Sequence, residues 1–216
     1  GQLLTLRRGD ADFPGAPVNL GALGIVARLT LDLVPRYEAR QEVWLDLPFD
    51  ALTENFDAIS ASAYSVSIFT RWLGDSVGQV WRKSLGHAPA LERHFFGAHW
   101  TPHPVPLIPR PGDVASTELL GSNQPWYQRI GHYPVDADIP TGAEIQTEYY
   151  VARADAAAAL TTLHGMQHRF APLLQISEIR TVAADDLWLS GCYGRDSVAI
   201  HFAWHPDPAG IASVLP

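Results

Sequence analysis

Glu178 and Arg180 stand two apart in the run Gln175-Ile176-Ser177-Glu178-Ile179-Arg180-Thr181-Val182, which reads as a β-strand. Residues two apart on a strand project from one face. A carboxylate and a guanidinium are thereby set side by side, with Ile176 and Val182 on the same face. Charged groups among aliphatic neighbours are costly to desolvate unless they pair or meet a polar partner. Such a pair is either a structural ion pair or the floor of a site that grips a polar molecule.

Other residues could join that chemistry. His201 and Ala203 share a face of the predicted strand Ser197 to Trp204, and His205, just past its end, continues that alternation. If that strand lies beside the one bearing Glu178 and Arg180, His201 lines the same site; otherwise it is a satisfied interior histidine. In Gly21-Ala22-Leu23-Gly24-Ile25-Val26, two glycines remove side-chain bulk. The backbone there can approach a nucleotide or flavin closely, or simply make a tight junction. Neither G-x-G-x-x-G nor G-x-x-x-x-G-K-[ST] occurs. His94, His99 and His103 match no common zinc spacing, and the His164/His168 pair lacks the H-E-x-x-H glutamate, so no metal ligand is assigned. No G-x-S-x-G elbow is present, and Cys192, in a turn-like setting beside Arg195, reads as an incidental thiol.

The elements that must position these groups follow from periodicity and punctuation. Strands are expected at Leu3 to Arg8, Ala27 to Val34 (Leu29, Leu31 and Leu33 on one face), Glu42 to Leu47, Tyr64 to Thr70, Gly78 to Arg82 and Ala143 to Val151. Helices are expected at Phe49 to Ser60, capped by Asp50, and at Ala154 to Phe170, where Leu160, Leu163 and Met166 keep helical register. Pro125 to Ile130 and Asp185 to Ser190 read as short helical turns, and Gly86 to Pro140 as long packed connections. The sum is an α+β fold: a mostly antiparallel sheet flanked by helices on one side.

The 216-residue chain is long enough to bury a proper core. A net charge of −8 argues against nucleic-acid binding through a broad basic face. One cysteine excludes an internal disulfide and fits a reducing, cytoplasmic setting. The most apolar stretch, Leu20 to Leu33, is interrupted by Arg28 and Asp32, so no membrane span is expected. The chain opens at Gly1, holds its single methionine at Met166 and stops at Pro216 without a polar tail; it reads as a piece of a longer polypeptide.

Gly21 to Val26 followed by Leu29 to Pro35 resembles the closing segment of the flavin-binding domain in vanillyl-alcohol-oxidase-type flavoproteins. Ala63 to Thr70, Glu178 to Asp185 and Tyr193 to Ala199 resemble the alditol (xylitol) oxidase branch of that family, and the similarity runs from about Arg8 to Trp204. The resemblance implies FAD as cofactor, a polyol as substrate and O2 as acceptor, with an aldose and H2O2 as products. It implies that residues 1–36 are the end of an FAD-binding domain and residues 37–216 a substrate-binding domain truncated at its C-terminus. Glu178 and Arg180 would hold substrate hydroxyls, Arg180 also stabilising developing charge, while the backbone of Gly24, Ile25 and Val26 would face the flavin nucleotide. The family's covalent flavin attachment, on a histidine, would lie upstream of this chain, and a substrate-side lysine beyond Pro216. Ala203 stands where the family has a pocket threonine. Alone, the chain would be inactive and, with its domain interface bare, prone to self-association. A lactone-oxidising relative and a flavin-free carbohydrate-binding module are the alternatives.

Overall fold

A computed structural model describes residues 2–103, 105–108, 121–133 and 144–215. After a 3-10 turn at Phe13–Gly15 come β1 (Glu38–Pro48), α1 (Phe49–Glu54), α2 (Phe56–Ser60), β2 (Ser65–Thr70) and β3 (Ser76–Leu85). Short strands β4 (His94–Phe95), β5 (Ala98–Trp100) and β6 (Gln124–Pro125) follow, the last running into a 3-10 turn at Trp126–Gln128. The chain closes with β7 (Ile145–Ala152), α3 (Ala156–Phe170), β8 (Leu174–Val182), β9 (Ser197–Trp204) and α4 (Pro208–Ala212).

Among the described residues these strands form one nine-stranded sheet of order β4-β5-β1-β3-β2-β8-β9-β7, with β6 also on β1. Every strand pairing is antiparallel. The α+β expectation holds, with the helices on one side. Leu52 of α1, Ile59 of α2, and Leu160 and Phe170 of α3 pack with Ile68, Val80, Ile179, Ile200 and Phe202 of the sheet in one buried cluster. Strand alternation sends the intervening residues to the opposite face. There a smaller apolar cluster of Val43, Phe69, Trp81, Ile176 and Ala203 adjoins the polar groups described below.

Several local expectations are corrected. The helix over Phe49 to Ser60 is split at Asn55, whose φ of −125° leaves the helical region. Asp50 does not cap it: Pro48 holds that position, and the Asp50 carboxylate lies in the first turn, favourable to the helix dipole. Asp185 to Ser190 is not helical. The Asp185 carboxylate accepts from the Leu187 N–H (3.0 Å) and the Ser190 hydroxyl (2.5 Å), local bonds that compete with a helical turn.

The strands expected at Leu3 to Arg8 and Ala27 to Val34 are absent, since among the described residues no strand pairs with them. Alternation alone cannot make a strand without a ladder partner. Leu29, Leu31 and Leu33 are left 71%, 70% and 92% exposed. This N-terminal segment is fastened near Pro14, whose carbonyl accepts from the Trp188 N–H (3.1 Å), with the Trp188 ring packed on Gly15. Of the long connection expected over Gly86 to Pro140, the described part holds the short strands β4, β5 and β6, which pair with one another or with β1; residues 104, 109–120 and 134–140, and Ala143 at the start of a predicted strand, lie outside the described residues.

The fully buried Leu160 ties α3 to the sheet. Leu160→Ala is expected to lower the unfolding free energy by about 2–5 kcal/mol, measured by urea titration; a loss within about 0.5 kcal/mol, the range of surface changes, would mean α3 is not docked on the sheet as described.

Candidate functional site

Two registers assemble the site on the helix-free face. β8 pairs with β9 so that Glu178 opposes His201, and β9 pairs with β7 so that His201 opposes Glu148. Three polar side chains from three adjacent strands therefore meet in one row. Arg180 stands one step along β8, and Gln146 and Tyr150 one step either way along β7. All of these but Tyr150, together with Thr147 and with His132 from the loop after the 3-10 turn at Trp126–Gln128, line a cleft of about 390 Å³.

Glu178 and Arg180 do share a face and an ion pair, Arg180 Nη1 lying 3.5 Å from Glu178 Oε2. The guanidinium is held from the other side by Glu148, to which Arg180 Nη2 donates. Glu148 is braced in turn by the Tyr150 hydroxyl, 2.5 Å from its second oxygen. Burial alone would lower the Arg180 pKa, but the carboxylates of Glu178 and Glu148 outweigh it and the net shift is upward. Glu148, despite its own desolvation, is drawn below the usual carboxylate range by the bonds from Tyr150 and Arg180. That same hydrogen bond to Glu148, helped by burial, pushes the Tyr150 phenol up to about 12. Arg180 is thus a fixed cation and Tyr150 a fixed donor at neutral pH.

Glu178 is 7% exposed. Its Oε1 accepts no hydrogen bond among the described residues, although His132 Nε2 lies 3.4 Å away. Behind it Lys83, 2% exposed, donates from Nζ to the Ile130 carbonyl (2.5 Å) and so straps the 129–133 loop over the sheet. Burial brings the Lys83 pKa down to about 8, opposed by the Glu178 charge. His132 is wedged edge-on against Phe69 and Trp81, ring centroids 5.3 and 5.4 Å away. Burial pushes its pKa down to about 4, against the pull of Glu178.

The other sequence candidates are placed as follows. His201 is in the cleft opposite Glu178. Ala203 is buried in the apolar cluster beside the cleft and is not among its lining residues. Gly24, Ile25 and Val26 lie in the exposed N-terminal segment, Ile25 98% exposed. Cys192 is buried, and His94 and His99 face each other across β4 and β5. Glu148, Tyr150, His132 and Lys83 were missed. Glu148 carried a usable signal, since Gln146, Glu148 and Tyr150 alternate on a predicted strand as Glu178 and Arg180 do; His132 and Lys83 reach the site only through tertiary contacts.

An antiparallel sheet with helices on one face and a charge-balanced polar cleft on the other defines a domain fit to bind a small polar molecule. The chain is 38% identical over 218 aligned positions, its whole length, to the alditol oxidase of Streptomyces sp. (strain IKD472 / FERM P-14339), and covers 51% of that protein. The resemblance to the alditol oxidase branch is thereby borne out. L-gulono-1,4-lactone dehydrogenase of Mycobacterium tuberculosis is 26% identical over 93% of the chain, which covers 50% of it. The chain thus spans about half the length of the curated relatives it matches. No protein-family model matches it. Among the described residues no helix is long and apolar enough to cross a membrane.

The His132 shift has a sign that can be checked. Folded His132 gains its proton near pH 4, an unfolded histidine near about 6.5. Between those values the unfolded chain binds more protons, so this residue lowers stability as pH falls, by on the order of 3 kcal/mol in full. Urea unfolding at about pH 7 and about pH 4.5 should show a smaller acid loss for His132→Phe than for the parent; equal losses would contradict the burial of this imidazole.

Proposed function

We propose that this chain is the substrate-binding part of an FAD-dependent sugar-alcohol oxidase of the xylitol or sorbitol type, which oxidises a primary alcohol to an aldose with reduction of O2 to H2O2. The observation that carries this reading is Arg180 held between the carboxylates of Glu178 and Glu148 at the floor of an open cleft. A carboxylate and a guanidinium fixed side by side offer an acceptor and a donor spaced for vicinal hydroxyls, and bonds to charged groups are the stronger kind. Arg180 is already held by two carboxylates, and Glu178 and Glu148 stand against Arg180 and the nearby Lys83. A site balanced in this way favours an uncharged polyhydroxylated ligand over a sugar acid. Whole-chain similarity to an alditol oxidase supports the same choice.

The division of labour follows. Residues 37–216 supply the substrate-binding domain, and residues 1–36 the end of an FAD-binding domain. Gly24 has a φ of 108° and open space where a side chain would stand, so its backbone, with that of Ile25 and Val26, fits close approach by the nucleotide. When bound, FAD supplies the hydride acceptor. Glu178, Arg180 and His201 orient the polyol; Arg180 steadies negative charge developing on the alcohol oxygen. Ala203, without a hydroxyl, shapes the apolar side of the pocket. The isolated chain is read as inactive, cytoplasmic, and prone to associate through the bared leucines of its N-terminal segment. A lactone substrate is the second reading, favoured by the match to L-gulono-1,4-lactone dehydrogenase.

In the intact flavin-loaded polypeptide, Glu178→Gln and Arg180→Lys should each lower kcat/KM for xylitol roughly 10–150-fold, the worth of one charge-assisted bond. Wild-type rates in both variants would sink the site assignment. A peroxide-release panel of xylitol, sorbitol and L-gulono-1,4-lactone separates the two substrate readings: turnover of the lactone alone excludes the polyol.

A further inference from the structure

The residue least explained by a Glu178–Arg180 clasp is His132. It comes from an irregular loop, yet several independent contacts hold it over the cleft. Lys83 Nζ binds the Ile130 carbonyl, Arg129 donates to the Ser122 carbonyl and hydroxyl, and the Ile130 N–H returns to the Trp126 carbonyl. Phe69 and Trp81 meet the imidazole edge-on and fix its plane. So placed, Nε2 lies 3.4 Å from Glu178 Oε1 and 3.4 Å from Ser67 Oγ. The carboxylate oxygen it faces is buried and accepts no hydrogen bond among the described residues.

We propose that His132 is a positioning residue for Glu178: with its proton on Nε2 and that nitrogen 3.4 Å from Oε1, it donates to Oε1 once a ligand fills the cleft and, with Arg180 beside Oε2, fixes the carboxylate plane so that the remaining lone pairs face a ligand hydroxyl. The tautomer follows from electrostatics. A neutral imidazole presents either an N–H or a lone pair at Nε2, and a lone pair facing a buried carboxylate oxygen is repulsive. In this tautomer Ser67 Oγ, already hydrogen-bonded to the same nitrogen at 3.4 Å, is the acceptor. At 3.4 Å both contacts are longer than a well-made hydrogen bond, and the Glu178 contact is expected to shorten when a ligand fills the cleft and excludes water. The proposal rests on Glu178 being an acceptor for substrate hydroxyls.

The experiment uses the intact flavin-loaded polypeptide with xylitol as the probe. His132→Phe keeps a ring between Phe69 and Trp81 but loses the donor; His132→Gln restores an N–H without the ring. Assayed well below its melting midpoint, the phenylalanine variant should lose roughly 10-fold or more in kcat/KM, and the glutamine variant should recover most of it. In a Glu178→Gln background, His132→Phe should cost nothing further, because its effect passes through Glu178. Additive losses, or a glutamine variant as poor as the phenylalanine one, would overturn the positioning role. So would wild-type kcat/KM in His132→Phe beside an impaired Glu178→Gln, and in that case the clasp itself survives. Wild-type kcat/KM in Glu178→Gln would overturn both. Independently of turnover, the 15N shifts of His132 at neutral pH should report the Nε2–H tautomer; the Nδ1–H form defeats the proposal even if the phenylalanine variant does not fold.

Discussion

A carboxylate taken almost wholly out of water is the constraint around which this face of the protein is arranged. Desolvating Glu178 is costly, and the surroundings offset that cost piecemeal: Arg180 on one oxygen, His132 near the other, and the Lys83 ammonium behind. None of these compensations is complete. Arg180 is shared with Glu148, His132 stands at 3.4 Å, and Lys83 spends its hydrogen bond on the Ile130 carbonyl. An acid held this incompletely retains capacity for a further donor. Under the proposed function, a substrate hydroxyl fills that capacity.

The fold makes the arrangement affordable in mechanical terms by separating two tasks. One face of the sheet is covered by α1, α2 and α3 and carries the large apolar cluster, including four residues of β8 and β9 that stand between or opposite the site residues: Ile179, Val198, Ile200 and Phe202. Side chains locked on that face hold the backbone of β8 and β9 in register. The opposite face is then free to present Glu178, Arg180 and His201 at fixed spacing. The hydrogen bond from Trp204 Nε1 to Thr147 Oγ1 adds the same service for β7, whose Glu148 completes the row.

The N-terminal segment behaves differently. Its alternation of Leu29, Leu31 and Leu33 has the form of a strand, yet these residues stand exposed and unpaired with any described strand. Apolar residues in such a pattern are stable only against a second surface, and under the proposed function an FAD-binding domain provides it.

Reading residues in order was enough wherever the deciding information is local. The period-2 pattern of Ser197 to Trp204 matches β9 residue for residue, the alanine-rich stretch matches α3 apart from a 3-10 first turn, and the Glu178/Arg180 juxtaposition follows from strand geometry alone. Local signals misled where a side chain offered the backbone another partner, as Asp185 does, or where a strand lacked a ladder, as at Ala27 to Val34. Sequence by itself thus determined the class of fold and the charged pair. Only tertiary structure brought in Glu148 across β9, Lys83 from β3 and His132 from a loop, because register and loop docking depend on contacts between residues far apart in the chain, and no short-range pattern encodes those distances.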